Sequence, residues 1–138
     1  MKKTYRPTRS PLKNTKEEDV HRTICLYVKA KYPDVIFMSD GSGLKLPMGL
    51  AKKYASLKSS RGIPDLFIAE PKGKYGGLFI EIKNENVVVF NKDGTLRKDE
   101  HLIEQAKVLD ELKKKGYASY FAIGAKMAIE IIDDYMKL

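Results

Sequence analysis

Two short apolar segments near the middle of the chain constrain the fold more than any other feature. They cover residues 65–69 and 78–83, and the segment between them contains Pro71, Gly73, Gly76 and Gly77. Short apolar runs separated by proline and glycine are typical of strands joined by a loose turn. We therefore predict a hairpin whose two strands lie at the centre of a sheet.

Helical and strand-like patterns on both sides of this hairpin predict the remaining elements. Helices are predicted over 16–31, 99–115 and 125–137, with a candidate short helix over 48–58. Strands are predicted over 35–38 and 117–123, and a candidate ribbon pairs 87–90 with 95–97 around the turn at 91–94. A helix joining the hairpin to a further strand implies a mixed α/β sheet flanked by helices, in the order helix, strand, hairpin, helix, strand, helix.

Length and composition predict one soluble domain. The 138 residues suffice for a single core, and 43% hydrophobic with 32% charged residues is a globular balance. No apolar run approaches the length of a membrane span, so we expect a cytosolic protein without a membrane partner. The single cysteine, Cys25, excludes an internal disulfide or a cysteine metal cluster and is interpreted as a core residue.

The excess of positive charge lies in two stretches. Residues 1–16 contain six basic and no acidic residues and are predicted to form a flexible basic arm, with a domain over 17–138. Residues 41–64 also lack acids and contain Lys45, Lys52, Lys53, Lys58 and Arg61. Both stretches favour contact with a nucleic-acid backbone, although a solubilising tail explains the arm equally well. Tyr54 is a candidate for stacking on a base or for packing on a neighbouring side chain.

The second strand of the hairpin carries the candidate chemistry. Strand alternation places Glu81 and Lys83 on one face, and Asp65 at the start of the first strand can approach Glu81. Two carboxylates that hold Mg²⁺ and a lysine that orients water are what phosphodiester hydrolysis requires. The backbone carbonyl of Ile82 is a further candidate metal ligand.

Glu-x-Lys alone is weak support, because it occurs three times in the chain. The occurrence at Glu70 lies in a loop, and the one at Glu111 lies on a predicted helix, where positions i and i+2 point apart. Only Glu81 lies on an apolar strand that follows a Pro-Asp pair. An edge strand with two solvated ions is the alternative interpretation.

The order of these motifs resembles a known family. The run from Arg61 to Leu66 reads RGIPDL, Glu81-Ile82-Lys83 follows on a strand, and Gln105 lies on a helix that ends at Gly116. This combination is similar to a VRR-NUC domain, a branch of the PD-(D/E)xK nuclease superfamily, and the resemblance runs from about Glu17 to the C-terminus. It implies a restriction-endonuclease-like fold and cleavage of DNA, often branched DNA, with Mg²⁺ or Mn²⁺.

The resemblance also implies roles for individual residues. Asp65 and Glu81 would bind the metal, Lys83 would handle the nucleophilic water, and Gln105 would support the site from its helix. The family places a further glutamate on the first helix. Glu17 is preferred over Glu18 for that role, although acids at this position also suit a helix N-terminus, and His21 stands where the family has glutamine.

Several functional interpretations stay open at this point. Small stand-alone members of the family resemble phage junction-cleaving enzymes, which implies a homodimer acting on four-way junctions in a bacterial or phage-infected cell. A nucleic-acid-binding module without catalysis and a structural basic protein of the ribosomal kind are the alternatives. His21 and His101 are given no catalytic role, because a lone histidine is more often packed or solvated.

Overall fold

A computed structural model describes residues 3–5, 17–40 and 46–138, without the side chains of Glu17 and Glu18. Over these residues the chain forms four helices and four strands. The helices are α1 (Glu17–Lys31), α2 (Met48–Ala55), α3 (Glu100–Lys114) and α4 (Ala125–Met136). The strands are β1 (Phe37–Ser39), β2 (Leu66–Ile68), β3 (Leu78–Lys83) and β4 (Ala118–Ile123).

The four strands of the described chain form one mixed sheet in the order β1-β2-β3-β4. β1 and β2 are antiparallel, as are β2 and β3, whereas β3 and β4 are parallel. The parallel pair requires a crossover, and α3 provides it. The predicted hairpin, its two central strands and the mixed α/β class are therefore confirmed.

The two faces of the sheet are covered differently. Leu78, Ile80 and Ile82 are at most 1% exposed and belong to the core cluster that includes residues of α1 and α4. Strand alternation directs Phe79, Glu81 and Lys83 to the opposite face, where α3 packs against β3 and β4. The core thus lies between the sheet and the α1–α4 pair, and the candidate site lies on the side of α3.

Local signals fix the ends of the crossover helix. The Asp99 side chain accepts a hydrogen bond from the Leu102 N–H at 3.2 Å, which caps the first turn of α3. At the other end Gly116 has a φ of +96°, a conformation that glycine adopts without strain. The helix predicted over 99–115, with its end at Gly116, is therefore confirmed to within one residue at each end.

The predicted ribbon around residues 91–94 is present in a short form, with one antiparallel bridge between Phe90 and Leu96. The Asn91 N–H donates to the Thr95 carbonyl at 2.8 Å, and the Arg97 N–H donates to the Val89 carbonyl at 2.9 Å. Phe90 also packs edge-on against Phe121 of β4, with ring centroids 6.1 Å apart. Backbone hydrogen bonds therefore hold the ribbon together, and side-chain packing holds it against the sheet.

Residues 3–5 lie against the C-terminal part of the domain. The Lys3 ammonium is 3.0 Å from Glu130 and 3.1 Å from Asp134, and the Tyr5 hydroxyl donates to Asp134 at 2.9 Å. Lys3 is therefore already paired with acidic side chains, while the other basic residues of the predicted arm lie outside the described residues. No helix in the described part of the chain has the length and apolarity needed to cross a membrane.

Candidate active site

Sheet register brings the two predicted carboxylates together. Leu66 pairs with Ile80, so continuing the ladder by one residue sets Asp65 opposite Glu81 on the face that α3 covers. Asp65 is fixed in place because its Oδ2 accepts a hydrogen bond from the Ile82 N–H at 2.8 Å. Asp65 and Glu81 are only 5% and 3% exposed, so both acids are held away from bulk water.

Glu81 is held by two side chains. Gln105 of α3 donates from Nε2 to Glu81 Oε1 at 2.7 Å, and the Lys83 ammonium lies 3.4 Å from the same oxygen. With Asp65, which immediately precedes β2, the cluster contains four residues that the sequence singled out, and the other three lie on β3 and α3. Glu81 Oε2 and Gln105 Oε1 are buried and have no hydrogen-bond partner among the described residues.

The electrostatics of this cluster oppose a charged Glu81. Burial is the main cause and the nearby Asp65 carboxylate the second, and together they raise the pKa of Glu81 to about 9 although Lys83 acts in the opposite direction. A carboxyl group of that kind retains its proton at neutral pH unless another cation replaces it. Burial of Glu81 beside Asp65 therefore lowers the stability of the folded protein whenever Glu81 is ionised without a bound cation.

The donor set fits a hard divalent cation. Mg²⁺ and Mn²⁺ prefer carboxylate and carbonyl oxygens, and the cluster offers two buried carboxyl groups, with Glu81 Oε2 not engaged by any donor in the described chain. No group of three or more Asp, Glu, His or Cys side chains suited to a metal occurs among the described residues. Any such ion would rely on Asp65 and Glu81 together with backbone oxygens and water.

A second polar cluster, which the sequence analysis did not find, lies beside Asp65. Asp40 follows β1, and its N–H donates to the Asp65 carbonyl at 2.5 Å. Its carboxylate accepts from the Tyr54 hydroxyl at 2.5 Å and forms an ion pair with Lys58, whose ammonium lies 4.8 Å from the Tyr54 ring centroid. Tyr54 therefore packs on a neighbouring side chain, and Lys58 is already paired with an acid.

A cleft of about 780 Å³ opens between α2 and α3 and reaches the active site at Gln105. Ala51 and Ala55 of α2 line one wall, and Arg61 and His101 contribute polar groups. The segment that leads to Asp65 borders this cleft. Of the clustered residues, Gln105 lines this cleft, whereas Asp65 and Glu81 do not.

Gly62 sets how closely that segment approaches α3. A Cβ at this position would lie 2.8 Å from the Glu104 carbonyl oxygen and 3.1 Å from a methyl group of Val108. Only glycine permits this approach without movement of the backbone. The chain leading to Asp65 is thereby pressed against the helix that carries Gln105.

The other residues named in the sequence analysis lie outside the carboxylate cluster or outside the described residues. Lys52 and Lys53 are exposed on α2, whereas Lys45 and the side chain of Glu17 lie outside the described residues. His21 is buried on α1, His101 is exposed, and Cys25 is partly buried. Asp40 could have been suspected only from its place at the end of a strand adjacent to β2.

Comparisons with known proteins support the fold. No family model matches the sequence, and a comparison with curated proteins also gives no match. A solved structure described as a VRR_NUC domain protein is similar, with a TM-score of 0.60 and 25% sequence identity, over 92% of this chain and 93% of that one. The chain therefore has the VRR_NUC fold, and this likeness indicates a nuclease-type domain.

Proposed function

We propose that the protein is a metal-dependent endonuclease that hydrolyses phosphodiester bonds in DNA. The observation that carries this proposal is the cluster of Asp65, Glu81 and Lys83 on one face of the sheet, with Gln105 bonded to Glu81 at 2.7 Å. A solely structural protein would gain nothing from two buried carboxyl groups side by side, because each makes the other harder to ionise.

Each residue of the cluster has a distinct role in this proposal. Asp65 and Glu81 would hold Mg²⁺ or Mn²⁺, with the Ile82 carbonyl as a further ligand and Glu17 as the acid contributed by α1. When bound, the metal would neutralise charge at the phosphate. Lys83 orients the attacking water and stabilises the developing negative charge, while Gln105 keeps the Glu81 carboxylate in one orientation.

DNA follows the cleft between α2 and α3 in this scheme. Arg61 lines this cleft, and Lys52 and Lys53 are exposed on α2. In this scheme all three contact the phosphate backbone. Lys58 joins them if phosphate displaces Asp40, and Lys45 extends the same basic stretch. These contacts give affinity without reading base sequence.

The preferred substrate in this proposal is branched DNA, cut by a homodimer. Symmetric cleavage of a four-way junction needs two active sites related by a two-fold axis. Analytical ultracentrifugation at micromolar concentration measures the mass directly. A monomer that still cuts junctions would remove the dimer from the proposal.

The experiment is cleavage of a labelled panel containing a four-way junction, a flap, linear duplex and single strand, with Mg²⁺, with Mn²⁺ and with EDTA. Wild type is compared with Glu81→Gln and Lys83→Met. Matched controls are Glu111→Gln and Lys113→Met, which make the same changes in a Glu-x-Lys pair exposed on α3.

Metal-dependent cutting that disappears only in the first pair supports the nuclease and its site. Binding without cutting under any metal would instead support the module that binds nucleic acid without catalysis. The panel also separates junction resolution from general degradation.

A further inference from the structure

An apolar row of side chains crosses the sheet next to the carboxylates. Met38 pairs with Phe67 across β1 and β2, and Phe67 pairs with Phe79 across β2 and β3. These residues lie two positions along their strands from Asp40, Asp65 and Glu81, so they share the same face at a distance of about 6–7 Å. The sheet therefore presents an apolar row immediately beside an acidic one.

This row forms the floor of a pocket. Phe67 and Phe79 stack with ring centroids 4.4 Å apart, and together with Met38, Leu57 and Ile63 they enclose about 380 Å³. The polar end of the same pocket is formed by Asp65 and the Asp40–Lys58 pair. That volume is within the range of roughly 300–1,000 Å³ found for small-ligand sites.

The rim of the pocket is unusually apolar for a surface. Met38 is 69% exposed and Leu57 is 81% exposed, although both lie beside charged groups. A flat apolar partner would remove this area from water. A protein partner at this position would block the carboxylates from their substrate, whereas a part of the substrate itself would not.

We infer that this pocket takes one unpaired base of the DNA substrate, next to the phosphate that is cut. This inference rests on the proposed function and names the feature of the substrate that the site selects. Aromatic side chains stack on the face of any base, so the pocket selects an unpaired base rather than a particular sequence. A base within a duplex is paired and stacked on its neighbours and offers no free face. Lys58 at the polar end is paired with Asp40, and a phosphate that displaced this carboxylate would take its place beside the ammonium.

Three DNA ligands separate a base pocket from a preference for flexible DNA. They are a paired duplex, the same duplex with one unpaired nucleotide, and the same duplex with an abasic residue in place of that nucleotide. The abasic residue retains the phosphate and the flexibility but lacks the base. Affinity is measured by fluorescence anisotropy in a Lys83→Ala background, so cleavage does not interfere.

We expect the unpaired nucleotide to bind about tenfold more tightly than the abasic residue, as the stacking of one base predicts. Phe67→Leu keeps the site apolar but removes the flat ring, and it should reduce that ratio to about one. Phe90→Leu makes the same change at a ring that does not line the pocket and should leave the ratio unchanged.

A second pair of variants keeps the inference testable if Phe67→Leu fails to fold. Met38→Glu places a carboxylate at the exposed rim of the pocket and should also abolish the ratio. Met48→Glu makes the same change at a methionine that is 76% exposed on α2, outside the pocket, and should keep it.

Equal affinity of wild type for the unpaired and abasic ligands would overturn the inference, even if the protein cuts DNA. A base-dependent ratio in a protein that cuts nothing would support the pocket and reject the nuclease. If Met38→Glu changes the oligomeric mass and leaves the ratio intact, the apolar rim is an interface between copies of the chain and the inference is wrong.

Discussion

The two faces of β3 differ in what they contribute to the molecule. Leu78, Ile80 and Ile82 face α1 and α4, are almost fully buried, and stabilise the fold through apolar burial. Glu81 and Lys83, on the other face, are also largely buried but are polar, and the pKa of Glu81 is raised to about 9. One strand therefore combines a stabilising face with a face on which the burial of the Glu81 carboxyl group opposes folding, and that cost at one position is typical of a functional site.

The largest effect is expected from a substitution that alters only the polar face of β3. Glu81→Gln removes a proposed metal ligand but keeps the shape of the side chain and its ability to accept a hydrogen bond from Gln105, so activity should fall about 10²–10⁴-fold. Because glutamine carries no charge, the free energy of unfolding of the metal-free protein should stay equal or rise. Cleavage rates and urea denaturation of the same preparation measure both effects. A large decrease in stability would mean that the carboxylate is part of the structural core.

Breaking the apolar face should have the reverse effect. Ile80→Ala leaves a cavity in the core and should lower the free energy of unfolding by about 2–5 kcal/mol. Activity per folded molecule at low temperature should change far less than in Glu81→Gln. If Ile80→Ala abolished cleavage while the protein stayed folded, the division between the two faces of β3 would not hold.

A third change tests how the polar face is aligned. Gly62→Ala forces the segment before Asp65 away from α3, because the new Cβ would lie 2.8 Å from a backbone oxygen. A displacement of this kind should lower kcat about tenfold to hundredfold. Gly49→Ala is the matched control, since nothing lies within 4 Å of that position, and it should leave kcat unchanged. Equal kcat values for both variants would show that this approach does not align the site.

The raised pKa of Glu81 predicts a smaller, pH-dependent effect. The unfolded carboxyl group loses its proton above its ordinary pKa of 4.5, whereas the folded one keeps it up to about 9. This group therefore makes the metal-free protein less stable as pH rises between those values. Because a divalent cation replaces the proton, the rise in Tm on adding Mg²⁺ should be larger at about pH 8.5 than at about pH 6. Glu81→Gln should show no such increase with pH.

The smallest expected effect concerns binding outside the carboxylate cluster. The double variant Lys52→Glu with Lys53→Glu should make the plot of log affinity against log salt concentration less steep. The negative slope should become smaller in magnitude by about one for each phosphate that these lysines neutralise in the wild-type complex. Lys126→Glu with Lys137→Glu makes the same charge change on α4 and around its C-terminal end, away from the proposed DNA path. Equal changes in both pairs would indicate a general charge effect and no defined path.

Local patterns predicted much of this architecture because they act over a few residues. The bounds of β3 follow from the alternation of its side chains. The start of α3 depends on one side chain, that of Asp99, and its end depends on the backbone conformation of Gly116. The approach of Asp65 to Glu81 followed from the same hairpin register.

What the sequence could not predict depends on distant contacts. Asp40 and Lys58 are 18 residues apart, and their ion pair depends on how the chain after α2 returns to the end of β1, where Tyr54 also bonds Asp40. The packing of Phe90 on Phe121 joins the ribbon to the sheet, and no local periodicity reveals such an interaction between separate segments. The bond from Gln105 to Glu81 likewise depends on where α3 crosses the sheet.

The close approach at Gly62 also limits how this sequence can change over evolution. The methyl group of Val108 could be removed by substitution to make room for a larger side chain at position 62. The Glu104 carbonyl oxygen belongs to the backbone, so no substitution on α3 removes it. Among homologues, variation at position 108 should therefore be tolerated without a paired change, while position 62 should remain glycine wherever the active-site residues are retained.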